Sequence, residues 1–161
     1  MDKLIFLDID GVIAIDDSVN GNFEWGLVAA KQALLGYLLG VTGAQIVISS
    51  SWRSWTLEDT IKHFEKEGFV FCDRIVGVTP RGWRINNPQS DEPDVWFSIP
   101  RGVEIQYYLD QLPNRVQYVI LDDESDMLYD QRNNFLQTEL STGLTETIVY
   151  EAIKILNTPL T

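Results

Sequence analysis

The sequence is short of cysteine, histidine and positive charge. Its 161 residues include one cysteine, Cys72, and one histidine, His63. One thiol excludes a disulfide framework within the chain and fits a reducing, cytoplasmic location. Cys72 is expected as a small apolar residue, buried or half-buried. His63, mid-helix on a charged stretch, is expected at the solvated surface. Only 12 Lys and Arg face 24 Asp and Glu, a formal net charge of −12. Such a surface repels nucleic acid and anionic membrane unless a local basic patch compensates, and it is compatible with cation binding. No apolar run approaches the roughly 20 residues of a membrane span. The first apolar stretch is too short for a signal-peptide core, and Asp8 and Asp10 interrupt it. Repeats and low-complexity tracts are also missing. Hydrophobic residues make up 45% of the chain, which argues against disorder. The length suits a single domain over 1–161 with its own core.

Short apolar runs alternate with helical periodicity. Residues 3–9, 44–50, 74–78 and 116–121 read as strands, and 134–138 as a weaker one. Leu27, Ala30, Leu34 and Leu38 recur at helical spacing, with Gly40 and Gly43 closing that helix. Thr56 followed by Asp59 resembles a capping box ahead of Leu57, Ile61 and Phe64. Ile105, Tyr108, Leu109 and Leu112 mark a helix over 101–112. Ile148, Ala152 and Ile155 mark a last one, opened by Thr145. Residues 79–100, with Pro80, Pro88, Pro93 and Pro100, read as a long loop or small insertion. Alternation of this kind predicts an α/β fold: a Rossmann-like three-layer α/β/α arrangement around a mainly parallel sheet. The strands are near-continuous apolar runs, as strands covered on both faces require.

Ligands of such folds sit outside the carboxyl ends of the strands. Three of those ends are polar. The first carries Asp8 and Asp10. The second carries Ser49, Ser50 and Ser51, followed by Trp52 and Arg53. The strand at 116–121 ends in Asp122 and Asp123, with Glu124 and Asp126 beyond. Brought side by side, these carboxylates repel one another, and a hard divalent cation relieves the conflict. An oxygen-rich, nitrogen-poor site suits Mg²⁺. Mg²⁺ commonly partners phosphate, whose oxygens the hydroxyls of Ser49 and Ser50 can hold. Arg101, at the start of the 101–112 helix, is the first candidate for the missing cation, and Arg53 is the second. A positive charge there opposes the helix dipole, which suggests an acidic group nearby. Arg74, Arg81, Arg84 and Arg101 are candidates for a local basic patch.

These segments resemble the motifs of the haloacid dehalogenase (HAD) superfamily of phosphohydrolases. "FLDIDGV" matches an apolar strand followed by DxDG[TV], and "IVISS" a strand ending in Ser or Thr. Arg101 in "RGVEI" is similar to the basic third motif, and "YVILDDESD" to a strand ending in paired acids. "SSSWR", with "VGVTP" and "RGVEI", is also similar to small members grouped with nucleic-acid repair phosphatases and polynucleotide kinase-phosphatase proteins. The resemblance implies that Asp8 is the nucleophile and forms an aspartyl-phosphate. Asp10 would be the general acid and base. Mg²⁺ would be held by Asp8, the Asp10 carbonyl, and Asp122 or Asp123, with Asp126 as an outer partner. Ser49 would bind the phosphoryl group and Arg101 would neutralise it. The implied activity is a phosphatase acting on a phosphate monoester. One alternative is a polynucleotide 3′-phosphatase. Another is a non-catalytic, receiver-like domain that binds Mg²⁺ or phosphate. No large cap is expected, because the intervals at 16–24 and 79–100 are short. An open site suits a nucleic-acid end or a phosphoprotein, with a phosphorylated small molecule as the third substrate class.

Overall fold

Apolar runs that alternate with helices can bury both sheet faces only if the strands run parallel and the helices cross over them. The computed structural model shows that arrangement. It describes residues 3–16, 26–85, 95–97 and 99–159. The elements in chain order are β1 (Lys3–Leu7), α1 (Ala29–Thr42), β2 (Gln45–Ile48), α2 (Leu57–Lys66), β3 (Ile75–Val78), β4 (Trp83–Ile85), β5 (Val95–Phe97), α3 (Arg101–Asp110), β6 (Gln117–Asp122), β7 (Phe135–Gln137) and α4 (Glu146–Asn157). Five strands form one sheet in the order β3-β2-β1-β6-β7, and every pairing is parallel. Thr56 and Thr145 cap α2 and α4, accepting from the backbone N–H of Asp59 and Ile148.

Successive strand residues point to opposite faces, and the core divides accordingly. Ile5, Leu7, Ile46, Ile48, Val119 and Leu121 pack with residues of α1, α2 and α4. Leu4, Phe6, Val47 and Ile120 face the other way, against Ile105, Tyr108 and Leu109 of α3. Among the described residues no cap stands over the sheet, and no helix is long and apolar enough to cross a membrane.

The structure refines the sequence reading in three places. The described part of 79–100, read as a long loop or small insertion, contains two short strands. Its β4 and β5 pair antiparallel, apart from the main sheet. Strands of three residues carry too few positions to show a period. In α1 the buried residues are Gln32, Leu35, Leu38, Leu39 and Thr42, while Leu34 is half-buried, Ala30 is exposed and Leu27 lies ahead of the helix. That helix is leucine-rich on two adjacent stripes, so spacing alone did not select the deeper one. Gly40 lies inside α1, and Gly43 closes it with φ at 68°. Most of the 16–24 interval, from residue 17, and Pro88 and Pro93 lie outside the described residues.

Candidate active site

The strand register sets the site. Leu7 of β1 lies level with Ile48 of β2 and with Leu121 of β6. The next residue on each strand is Asp8, Ser49 and Asp122, so these three share one level at the carboxyl edge. The ladder continues through them: the Asp8 N–H donates to the Leu121 carbonyl at 3.0 Å, and the Ser49 N–H to the Leu7 carbonyl at 2.9 Å. β1 is the strand from which the chain proceeds to both sides, so this edge is the crevice where open α/β sheets bind ligands.

Three carboxylates converge there. One oxygen each from Asp8, Asp122 and Asp123 lies within 4.8 Å of the others. Asp8 and Asp122 are buried and Asp123 is half-buried. Burial pushes the Asp8 carboxyl up to about 6, against the pull of Arg101 and of a hydrogen bond from Ser50. Burial, reinforced by the charge of Asp8, pushes Asp122 up to about 7. Without a cation the pair therefore tends to retain a proton.

Arg101 faces this cluster from the start of α3. Its Nη1 is 3.9 Å from Asp8 Oδ1, and its Nε is 4.0 Å from Asp122 Oδ2. Both contacts are longer than a hydrogen bond. Arg101 Nη1, Ser49 Oγ and Asp122 Oδ2 are all buried without a hydrogen-bond partner. Unsatisfied buried polar atoms are costly, and three at one strand edge mark a place built for a polar ligand. Two contacts hold Arg101 there. Asp126 does not join the acidic cluster; its Oδ2 accepts from the Arg101 backbone N–H at 2.8 Å and caps α3. That carboxylate offsets the placement of a cation at a helix N-terminus. Gly102 lets α3 approach the chain at Met127–Leu128, since a Cβ there would meet Gln131 Oε1 at 2.7 Å.

Asp10 takes a different partner from the other acids. The indole N–H of Trp52 donates to both its oxygens, each at 3.0 Å. Trp52 in turn packs against His63 and Phe64 of α2. His63 is thus half-buried rather than solvated, because α2 turns it towards the indole. Gly11 turns the chain after Asp10 with φ at 73°, and a Cβ there would lie 2.5 Å from the Asp123 carboxyl carbon. Glycine alone meets both conditions. The loop after β1 and the acid after β6 therefore touch directly.

Arg53, the second candidate cation, lines the same cleft as Arg101 but is engaged by protein oxygens. It is 5% exposed and donates to the carbonyls of Ser50, Thr79 and Pro80. It also forms a 2.6 Å ion pair with the buried carboxylate of Glu104 on α3. The other Glu104 oxygen accepts from the Gly82 N–H at 2.8 Å. Glu104 was not singled out in the sequence, where an acid in a helix reads as a solvated face. Trp52 was visible only as a neighbour of the serines. Ser50 bonds inward, its hydroxyl accepting from the Trp52 backbone N–H and donating to Asp8. Of the expected basic patch, Arg81 and Arg101 line a cleft at the site. Arg74 lies at the opposite edge, where its guanidinium donates to the Ala44 carbonyl before β2. The side chain of Arg84 lies outside the described residues. Cys72 is half-buried, its thiol against the Phe69 carbonyl.

The donor set fits Mg²⁺: hard carboxylate oxygens, one of them buried and unsatisfied, with no nitrogen or sulfur among them. No curated protein matches the chain. Residues 4–149 match a family model described as the HAD domain in Swiss Army Knife RNA repair proteins.

Proposed function

The chain belongs to the HAD-domain family of Swiss Army Knife RNA repair proteins, and on that premise we propose that it is a Mg²⁺-dependent phosphatase acting on phosphorylated RNA ends, the 3′-phosphate first among them. Of the three substrate classes open from sequence, family membership favours the nucleic-acid end over a small molecule or a phosphoprotein. One observation carries the chemistry. At the carboxyl edge of the sheet, a cluster of three acids stands beside Arg101 Nη1 and Ser49 Oγ, both buried atoms without a hydrogen-bond partner.

Each residue takes a role from its position. Asp8 presents a carboxylate oxygen to phosphorus, forming an O–P bond as the bond to the ribose oxygen breaks. Asp10 gives its proton to that leaving oxygen. It then takes a proton from the water that attacks the aspartyl-phosphate; the Asp8–phosphorus bond breaks and inorganic phosphate leaves. The Trp52 N–H holds the Asp10 carboxyl in one orientation through both steps. Ser49 Oγ and Arg101 Nη1 meet the phosphoryl oxygens, which satisfies both atoms. Mg²⁺, held by Asp8, Asp122, Asp123 and the Asp10 carbonyl, would supply charge neutralisation for the phosphoryl group. Arg53 acts as a bracket between the serine loop and α3, a structural rather than a phosphate-binding role. A receiver-like domain has no use for a second acid two residues past the acceptor, held by its own donor, so turnover is the better reading.

The test is phosphate release from a 3′-phosphorylated oligoribonucleotide, a 5′-phosphorylated one and glycerol 2-phosphate, with and without Mg²⁺. The expected result is Mg²⁺-dependent release, fastest from the 3′ end, and abolished by Asp8→Asn and Asp10→Asn. No release from any of them by the wild type would sink the phosphatase reading.

A further inference from the structure

This inference rests on the RNA-end reading and extends it from the phosphate to the nucleotide that bears it. Two clefts share a wall at the carboxyl edge. One, of about 520 Å³, runs past Arg101 and Ser51 to Trp55 and Arg81. The other, of about 480 Å³, lies beyond Trp55 and Arg81 and reaches Tyr107. Trp55 is 68% exposed, and the Arg81 guanidinium sits 5.8 Å from the centre of its ring. Arg81 is tethered there, donating to the Arg53 carbonyl at 3.1 Å. Trp55 and the 44%-exposed Tyr107 line the second cleft together, and contiguous exposed apolar surface tends to mark recognition sites.

Charge distinguishes the two clefts. The first is lined by Arg53, Arg81 and Arg101 but also by Glu104, Glu124 and Asp126, so its charges offset one another. Among the described residues the second is lined by Arg81 and by no carboxylate, in a chain of net charge −12. A polyanion leaving the acidic cluster is therefore drawn across the ridge towards the uncompensated cation. An aromatic face beside an arginine is the usual device for single-stranded nucleic acid: the ring stacks a base and the cation meets the backbone. We propose that Trp55 and Arg81 form a nucleotide platform, on which the base next to the scissile phosphate stacks while Arg81 meets the following phosphate in the second cleft.

The experiment compares wild type, Trp55→Ala and Trp55→Phe on a 3′-phosphorylated oligoribonucleotide and on the same oligomer with an abasic 3′ residue. Stacking strengths predict that removing the base raises the wild-type KM by about 5- to 150-fold, with kcat little changed. Trp55→Ala should show the same rise on the intact oligomer and no further rise on the abasic one. Trp55→Phe should restore most of the loss. A wild-type KM for Trp55→Ala on the intact oligomer would overturn the platform while leaving the phosphatase reading standing. An equal loss on both oligomers would also overturn it, as a general effect on the site. If the wild type hydrolyses glycerol 2-phosphate but neither RNA end, the RNA-end premise falls and the platform with it. Preferred turnover of a phosphoserine peptide, with the same dependence on Trp55, would assign the ridge to a protein substrate instead.

Discussion

One indole N–H shared between the two oxygens of Asp10 is a small feature with a large expected effect. A general acid must point at the leaving oxygen, and a misplacement of about 1 Å can cost on the order of 100-fold in rate. Trp52→Phe keeps the ring packed on His63 and Phe64 and removes only the donor. We expect kcat to fall by roughly 10- to 100-fold, with KM nearly unchanged. Mg²⁺-dependent thermal stabilisation should persist, because Trp52 is not part of the acidic cluster; steady-state kinetics beside a melting curve separates the two readouts. The acids themselves were legible in the sequence, since Asp8, Asp10, Asp122 and Asp123 each follow an apolar strand. The donor was not, because an indole directly after three serines gives no sign of where its N–H points. Only the packing of α2, with His63 and Phe64 behind the ring, directs it.

Between elements, the Arg53–Glu104 pair joins the loop after β2 to α3, and Gly82 adds the approach to β4. Removing one partner of a buried pair leaves the other charge uncompensated, which costs about 3–5 kcal/mol. Glu104→Ala should therefore lower unfolding stability by that amount in urea titrations. It should also lower phosphatase activity in folded protein, since α3 carries Arg101. Replacing both residues, as Arg53→Met with Glu104→Leu, should recover much of the stability and little of the activity. β1, β2, β3 and β6 could be read from sequence because strands covered on both faces are nearly continuous apolar runs. The caps Thr56 and Thr145 could be read because each hydroxyl meets an N–H three residues on. The pairing of β4 with β5 and the partnership across 51 residues between Arg53 and Glu104 have no local signature. Each depends on which faces the fold brings together.

For the molecule as a whole, the acidic site opposes stability until a cation arrives. Asp8 and Asp122 titrate above their ordinary 3.8 in the folded chain. Between about pH 4 and 7 the folded state therefore binds more protons than the unfolded one, and stability falls as pH rises. In a chelator, the melting temperature should drop from about pH 5 to about pH 8, and Asp122→Asn should flatten that drop. Millimolar Mg²⁺ should raise the melting temperature more at about pH 8 than at about pH 5, because deprotonated carboxylates bind it. Asp122→Asn should be the more stable protein without metal, and should lose the response to Mg²⁺. The middle position of β1 in the sheet has a consequence for synthesis. Asp8 and its neighbour Asp122 are translated more than 100 residues apart. A polypeptide stalled before Gln117 holds Asp8 without β6 to complete its surroundings. Such a truncated product lacks two of the three clustered carboxylates.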